Sequence, residues 1–225
     1  MTQKELLKHL VEVILEIKRH HPIRVCIDGV DASGKTTIAD LLAVELREHK
    51  PVIRVSIDGF HNPKEIRYEK GRNSPLGYYM DTTNYESIIN NVLGPLGPNG
   101  NLEYKTKIFN FIENSEVNAP IQKAKQDSIL IMDGVFLLRP ELIDYWDLKI
   151  FIDVDFKITL KRATKRDGYY LGEKEEIIEK YELRYIPGQK IYFEKVSPQE
   201  KADIVIDNSD FENPIITKGL KVALK

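Results

Sequence analysis

Residues 29–36 read Gly-Val-Asp-Ala-Ser-Gly-Lys-Thr, which fits the pattern G-x-x-x-x-G-K-T. The apolar stretch Ile23-Arg-Val-Cys-Ile-Asp28 precedes this run and predicts a buried strand. Residues 37–46 follow it, with apolar side chains at helical spacing. A strand, a glycine-rich turn and a helix start are the context in which this pattern binds phosphate groups. The sequence therefore predicts a nucleotide-binding loop near the N-terminus.

Each residue type in this loop has a task in phosphate binding. The backbone N–H groups wrap the phosphates, the Lys35 ammonium reaches the terminal phosphates, and the Thr36 hydroxyl holds Mg²⁺. Asp31 is unusual beside phosphates, so its side chain either points away from them or contacts hydroxyls of a second substrate. The predicted nucleotide-binding residues are Gly29, Asp31, Ala32, Ser33, Gly34, Lys35, Thr36 and Thr37.

The composition predicts a globular protein without a strongly charged partner. The chain has 225 residues, of which 42% are hydrophobic, and a formal net charge of −2. This charge implies no nucleic-acid or membrane partner, and no apolar run approaches the length of a spanning helix. Cys26 is the only cysteine, which excludes an intramolecular disulfide. Thr2 and Glu5 form a capping-box pattern that we interpret as a helix start rather than a signal peptide, and we expect a cytoplasmic protein.

Predicted strands alternate with predicted helices along the chain. After the first strand, strands are predicted at residues 52–57, 128–133, 148–153 and 202–206, and helices at 3–20, 35–48, 82–93, 156–166 and 173–185. This alternation predicts an α/β fold of three layers with a five-stranded parallel sheet. We expect a single domain over residues 1–225, with an N-terminal helix in 1–21, an acceptor-binding insert at about 59–115 that includes a hairpin, and a lid at about 160–175.

Aspartates stand at the ends of several predicted strands. In open parallel sheets the ligand lies at the carboxyl ends of the strands, which directs these side chains to one site. Asp133 closes an apolar strand in the Walker B pattern and is predicted to hold Mg²⁺, with helix capping as the alternative. Asp58 ends the neighbouring strand and is predicted to accept the proton of an attacking hydroxyl; the alternative is a turn residue before Gly59. Asp153 is interpreted as a strand end without a catalytic role.

A basic helix and an aromatic segment complete the candidate site. Arg162 and Arg166 are four residues apart and share a helix face, which suits a lid that closes over phosphates; a solvated surface is the alternative. The stretch from Gly168 to Gly172 is interpreted as its hinge. Residues 60–85 mix aromatic and charged side chains, as small-molecule pockets do, although aromatic residues also fill cores. The predicted acceptor contacts are Phe60, His61, Tyr79, Asp81, Tyr85 and, in the hairpin, Phe109.

Together these motifs resemble the uridine kinase-like branch of the phosphate-loop kinases, whose relatives include phosphoribulokinase and pantothenate kinase. The resemblance covers about residues 22–208. It rests on GVDASGKT, SIDGFHN, YYMDTTNY, KIFNF, IMDG and RATKRD. It implies a kinase that uses ATP and Mg²⁺ to phosphorylate a hydroxyl of a small molecule, with Asp58 as general base and Lys35, Arg162 and Arg166 on the phosphates. The family tends to form dimers or tetramers, so a homo-oligomer is a candidate assembly.

The chain departs from the uridine kinase pattern in the hairpin. Uridine kinases carry a histidine and an arginine there, whereas this chain reads Phe109-Asn-Phe-Ile-Glu-Asn-Ser-Glu116. It also has Asp133 where uridine kinases have glutamate. Gly59 stands where thymidylate kinases place an arginine, which argues against a nucleoside-monophosphate kinase. The kinase chemistry carries over, but the acceptor stays open between a nucleoside and another metabolite, such as one like pantothenate or a sugar phosphate.

Two hypotheses from other classes remain. A GTPase-like switch would need an Asn/Thr-Lys-x-Asp motif after a strand, and Ala124-Lys-Gln-Asp127 lacks the first residue and precedes a strand. A nucleotide-binding protein without turnover is the second alternative. The expected catalytic groups are all present, which favours an enzyme over both.

Overall fold

The computed structural model describes residues 1–168 and 172–219. Its helices and strands, in chain order, are α1 (Gln3–Glu16), β1 (Ile23–Gly29), α2 (Lys35–Arg47), β2 (Val52–Ser56), α3 (Lys64–Arg67), α4 (Pro75–Asp81), α5 (Tyr85–Ile88), β3 (Glu103–Tyr104), β4 (Phe109–Asn110), β5 (Ser115–Glu116), β6 (Gln122–Lys123), β7 (Ile129–Gly134), β8 (Leu148–Asp153), α6 (Phe156–Arg166), α7 (Lys174–Lys180), α8 (Ile186–Val196), α9 (Pro198–Lys201), β9 (Ile204–Asp207) and β10 (Ile215–Lys218).

The central sheet confirms the predicted α/β fold. Over the described ranges its strands are arranged in the order β2-β7-β1-β8-β9-β10. The first five are parallel to one another, as predicted, and β10 adds an antiparallel edge strand beside β9. Every residue of β1 and β7 is buried, because helices or loops cover both faces of the sheet there. The sequence did not indicate β10, which is short and largely exposed.

Helices cover both faces of the sheet. On one face, α1 and α2 pack against β1, β7, β8 and β9, and the apolar stripe of α1 is buried there. On the other face, α8, α4 and the segment after β7 enclose a second apolar cluster that is rich in aromatic rings. The carboxyl ends of the parallel strands are thereby left open at one edge of the sheet, where a ligand binds in folds of this kind.

The helix predicted at residues 173–185 continues further than expected. After α7, a π-helical turn at Tyr181–Tyr185 leads directly into α8. Proline breaks a regular helix interior but is tolerated in the first turn of a helix. The wide turn places Pro187 in the first turn of α8, and a side chain at Gly188 would meet Tyr78 Cδ1 at 2.7 Å. Glycine at this position therefore allows α4 to approach α8 closely.

The acceptor insert is also more structured than predicted. The irregular segment 59–81 contains α3 and α4, and the helix expected from residue 82 begins at Tyr85 and ends in a π-helical turn. Instead of one hairpin at residues 102–112, β3 pairs with β6 and β4 pairs with β5. Within the parts of the chain that the structure describes, no helix is long and apolar enough to cross a membrane.

Candidate active site

The open edge of the sheet contains a cleft of about 380 Å³. The phosphate loop forms one end of the cleft, and the segments that follow β2 and β7 form its floor. The rest of the lining consists of aromatic and cationic side chains from α3, α4, the β4 region and the turn after α7, and Tyr78 of α4 donates a hydrogen bond to Asp31 of the phosphate loop at 2.6 Å. The cleft therefore joins the predicted phosphate site to a second compartment.

The phosphate loop is shaped by glycines that permit close contacts. A Cβ at Gly29 would lie 2.7 Å from the Ile152 carbonyl oxygen. Gly34 has a φ of +93°, and a Cβ there would lie 2.6 Å from Asn208 Nδ2. That same amide group donates a hydrogen bond to the Ser33 carbonyl at 2.7 Å. The loop is thus held against the end of β9, with its backbone fixed in the conformation that a phosphate-binding loop requires.

The predicted metal ligands are in direct contact. Thr36 Oγ1 donates a hydrogen bond of 2.5 Å to Asp133 Oδ2. Arg54 Nη1 lies 2.8 Å from Asp133 Oδ1 but is not aligned as a hydrogen bond, so this buried oxygen keeps lone pairs available. Mg²⁺ in phosphate-transfer sites takes one or two protein oxygens, and its remaining ligands are waters and phosphates. Thr36 and Asp133 fit that requirement.

Lys35 lies beside this pair at the start of α2. Its side chain is buried, and its ammonium group donates to the Val30 carbonyl inside the loop at 3.1 Å. Among the described residues, no carboxylate lies within 4 Å of the ammonium group, so its charge is not neutralised by a salt bridge. A lysine held in this way is ready to bind the terminal phosphates of a nucleotide.

Asp58 lies on the floor of the cleft, in the turn that follows β2. The surrounding protein raises the pKa of Asp58, as does the nearby Asp133 carboxylate, while Lys35 and Arg166 oppose this rise. The side chain is nonetheless 62% exposed, so water screens these charge interactions. A raised pKa makes a carboxylate a better proton acceptor, which suits the predicted role as a general base.

His61 adjoins Asp58 as a neutral ring. Its Nε2 lies 3.5 Å from Asp58 Oδ1, and its ring meets the Phe111 ring edge-on at a centroid distance of 4.9 Å. Burial lowers the pKa of His61 to about 3, and the Arg67 charge acts in the same direction. The ring therefore adds no charge near Asp58 at neutral pH, and it lines the cleft as predicted for an acceptor contact.

The two lid arginines lie in different surroundings. Arg166 lines the cleft and pairs with the buried Asp167 carboxylate at 2.5 Å. Arg162 donates to the carbonyls of Ser33, Asn208 and Ser209, behind the phosphate loop, and does not line the cleft. The predicted lid of about 160–175 includes residues 169–171, which are outside the described residues, as is most of the predicted hinge.

Five of the six predicted acceptor contacts lie outside the cleft, and only His61 lines it. At four of these five positions the side chain is an aromatic ring that contributes to the core rather than to the wall of the cleft. Asp81 instead forms a salt bridge of 2.7 Å with Lys70. The aromatic members of this group pack in or against the core: Phe60, Tyr79, Tyr85 and Phe109.

Other side chains take their place in the second compartment. They share aromatic or cationic character and come from segments far apart in the chain: Arg67, Tyr68, Tyr78, Phe111, Tyr181, Arg184 and Tyr185. Residues 181, 184 and 185 are three and four positions apart, which places them on one side of a helical turn. This spacing could have identified them as neighbours from the sequence. Nothing local to the insert distinguishes the rings in the cleft from those in the core.

Asp28 is a further buried carboxylate that sequence reasoning assigned only to a strand. It accepts hydrogen bonds from the Gly29 and Leu138 N–H groups at 2.7 and 3.2 Å and from the Tyr192 hydroxyl at 2.5 Å. Burial raises its pKa to about 6, although the three hydrogen bonds and Lys35 favour the charged form. Asp28 thus connects the start of the phosphate loop to the segment after β7 and to α8.

This raised pKa predicts a pH-dependent stability. Because the folded-state pKa of Asp28 exceeds its ordinary value of 3.8, its contribution to stability is complete below about pH 4 and is lost as the pH rises through about 6. Asp28→Asn removes the charge, so its free energy of unfolding should rise relative to that of the parent protein from pH 4 to pH 7, by about 3 kcal/mol in total. Denaturant unfolding across this range measures the difference. At pH 4 the folded-state side chain is neutral in both proteins, so the difference there mainly reports the packing effect. A difference that does not change with pH would contradict the prediction.

Comparisons with known proteins agree with this geometry. The model of the Phosphoribulokinase / Uridine kinase family matches residues 24–212. A uridine kinase from Ligilactobacillus salivarius is 24% identical over 200 residues, which cover 84% of this chain and 86% of the relative. A chloroplastic uridine/cytidine kinase from Arabidopsis thaliana is 24% identical over 83% of this chain, which spans only 38% of that longer protein. A solved structure of a possible uridine kinase from Bacillus stearothermophilus superposes with a TM-score of 0.72 at 22% identity, over 90% of this chain and 97% of the other.

Proposed function

The chain belongs to the phosphoribulokinase and uridine kinase family, and from this membership we propose that it transfers the γ-phosphoryl group of ATP to a hydroxyl of a small-molecule acceptor. Members of this family are kinases that act on hydroxyl acceptors. The relatives named as uridine kinases support an acceptor of metabolite size. The family membership does not name the acceptor of this chain, so the small-molecule acceptor is part of what we propose.

One observation carries this proposal beyond nucleotide binding. Asp58 faces the same cleft as Lys35 and the Thr36–Asp133 pair. A phosphate loop by itself supports binding or hydrolysis of a nucleotide, whereas an added carboxylate base beside the γ-phosphate position supports transfer to an alcohol. The second compartment beyond Asp58 provides the space that an acceptor needs.

The roles of the residues in the transfer follow from their positions. Asp58 accepts the proton of the acceptor hydroxyl while the hydroxyl oxygen forms a bond to the γ-phosphorus. The bond between the γ-phosphorus and the β,γ-bridging oxygen breaks, which releases ADP. Lys35 and the loop N–H groups hold the β- and γ-phosphates. Arg166 lines the same cleft, where its positive charge stabilises the negative charge of the γ-phosphoryl group during transfer. Thr36 and Asp133 would hold Mg²⁺, which supplies charge neutralisation at the phosphate oxygens when bound.

We assign different roles to the two lid arginines. Arg162 ties the phosphate loop to the end of β9 through three carbonyl oxygens, so it positions the nucleotide site without contacting the transferred group. Arg166 lies in the cleft, where its pairing with Asp167 aims the guanidinium group. Its charge is therefore the one that supports the transition state.

The direct test is ADP release from Mg·ATP across a panel of acceptors, with Lys35→Ala as the blank. The panel contains nucleosides, pantothenate, free sugars and phosphorylated sugars, because these cover the acceptor classes that the family resemblance leaves open. Turnover above the blank with one class supports the proposal and identifies the acceptor. Tight binding of Mg·ATP with no turnover above the blank would contradict it and favour a nucleotide-binding protein without kinase activity.

A further inference from the structure

Three cationic side chains surround the ring of Tyr68 in the second compartment of the cleft. The charged groups of Arg67, Lys180 and Arg184 lie 5.6, 5.7 and 4.8 Å from the ring centroid. Arg67 and Arg184 line the cleft together with Tyr68, and Lys180 approaches the ring from the last turn of α7. We call these three residues the cation cluster.

Within the described ranges, no carboxylate lies within 4 Å of any charged group of the cation cluster. Arg67 is 6% exposed and Arg184 is 2% exposed, so two guanidinium groups are buried without a counter-charge. Unpaired buried charges are destabilising, which is why proteins usually pair them or use them to bind ligands. Burial lowers the pKa of all three cations and outweighs the opposing effect of nearby tyrosines.

The hydrogen bonds of the two arginines distinguish their roles. Arg184 donates to the backbone carbonyls of Gly71, Arg72, Ser74 and Arg67, which holds the chain between α3 and α4 in place. Arg67 donates through Nη2 to the Phe111 carbonyl at 3.2 Å, and its Nε is buried without a hydrogen-bond partner. Carbonyl oxygens satisfy donors but carry no full negative charge. Arg67 therefore retains both an unsatisfied donor and an uncompensated charge at the cleft.

The cation cluster is connected to the proposed general base by a short series of contacts. Asp58 adjoins His61, the His61 ring packs on Phe111, and the Phe111 carbonyl accepts from Arg67. An acceptor that places its hydroxyl at Asp58 would extend along the His61 and Phe111 rings towards Arg67. The two ends of the second compartment thus differ in chemistry, with a proton acceptor at one end and positive charge at the other.

We propose that the acceptor carries an oxyanion, either a phosphate monoester or a carboxylate, which Arg67 and the rest of the cation cluster bind while the acceptor hydroxyl lies at Asp58. This inference rests on the proposed kinase function and narrows its substrate class. It disfavours an uncharged nucleoside, since such an acceptor would leave the charge of Arg67 buried and unpaired in the complex.

The test is isothermal titration of the full-length protein saturated with Mg·AMP-PNP, so that added anions cannot occupy the phosphate loop. The titrants are matched pairs that differ in one charged group: ribose 5-phosphate against ribose, and D-glycerate against glycerol. At least one anionic member should bind about tenfold or more tightly than its neutral partner, as a charge-assisted contact with an arginine provides. Binding of the phosphate ester alone or of the carboxylate alone would distinguish the two sources of the oxyanion.

Arg67→Met, which keeps length but removes the charge, should weaken binding of the anionic member about tenfold or more and leave the affinity for Mg·AMP-PNP unchanged. Arg72→Ala is the matched control, because Arg72 is an exposed arginine of the same segment that does not line the cleft. Lys180→Gln at the partly exposed end of α7 should weaken the same binding about threefold, and it carries the test if Arg67→Met does not fold.

The outcomes separate this inference from the kinase proposal. If neither anionic member binds more tightly than its neutral partner, the inference is overturned, even where a neutral acceptor gives turnover. An equal loss of anion binding in Arg67→Met and Arg72→Ala would also overturn it, because general surface charge would then account for the effect. Selective anion binding that depends on Arg67 but gives no ADP release would support the oxyanion site and contradict the kinase proposal.

Discussion

Lys35→Ala should reduce phosphoryl transfer by about 10³-fold or more, which is the scale expected when a donor to developing charge is removed from a preorganised site. Lys35 is buried at the start of α2, and among the described residues no carboxylate within 4 Å neutralises its charge. Nucleotide phosphates placed in the loop would be its counter-charge. Steady-state ADP release and titration with AMP-PNP measure the effects on turnover and on binding, and both should weaken.

Lys50→Ala is the matched control for this variant. Lys50 lies three residues beyond the far end of α2, away from the cleft, so its loss should change neither turnover nor AMP-PNP affinity by more than about twofold. Thermal unfolding of Lys35→Ala should show a folded protein, since the lysine makes a single hydrogen bond to its own loop. Retention of more than a tenth of the parent turnover in folded Lys35→Ala would contradict the assigned role.

Asp58→Asn should lower the rate of transfer by about 10²-fold or more while it leaves Mg·ATP affinity within about twofold of the parent value. Asparagine keeps the shape of the side chain but cannot accept the proton of the acceptor hydroxyl. Asp58 is not among the residues proposed to bind the nucleotide or Mg²⁺, which is why binding should be retained. Single-turnover kinetics with saturating Mg·ATP separates the chemical step from binding.

Asp127→Asn provides the same chemical change at the other end of the sheet. Asp127 is exposed and lies just before β7, the strand whose carboxyl end carries Asp133. This variant should behave as the parent protein does. If Asp58→Asn weakened ATP binding as strongly as it slowed transfer, Asp58 would be a nucleotide or metal contact, and the assignment of the general base would be wrong.

Local patterns were sufficient for the parts of the molecule that depend on contiguous sequence. The run from Gly29 to Thr36 combines a strand, a turn and a helix start, and each of these is specified by neighbouring residues. Asp58 after β2 and Asp133 at the end of β7 follow the same logic, because the carboxyl ends of parallel strands must meet at one edge of the sheet. The α/β fold class and the family were therefore predicted from the sequence and are confirmed.

The acceptor compartment could not be predicted in the same way. Tyr78 and Tyr79 are adjacent in α4 and both belong to the apolar core, yet only Tyr78 also lines the cleft. In the β4 region, Phe109 is buried and Phe111 lines the cleft. Residue type is the same within each pair, so nothing in the local sequence separates a core ring from a pocket ring. The distinction depends on which neighbour each side chain meets after folding.

The sequence by itself determined the five parallel strands, the phosphate loop and the proposed base and metal ligands, because each of these follows from short-range patterns and from the direction of parallel strands. Only the tertiary structure decided the composition of the second compartment. It brings α3 and the turn after α7 together across more than a hundred residues of chain, with Arg184 donating to the Arg67 carbonyl. The close approach of α4 and α8 at Gly188 is another contact between segments far apart in the chain, and long-range packing of this kind leaves no periodic signal in the sequence.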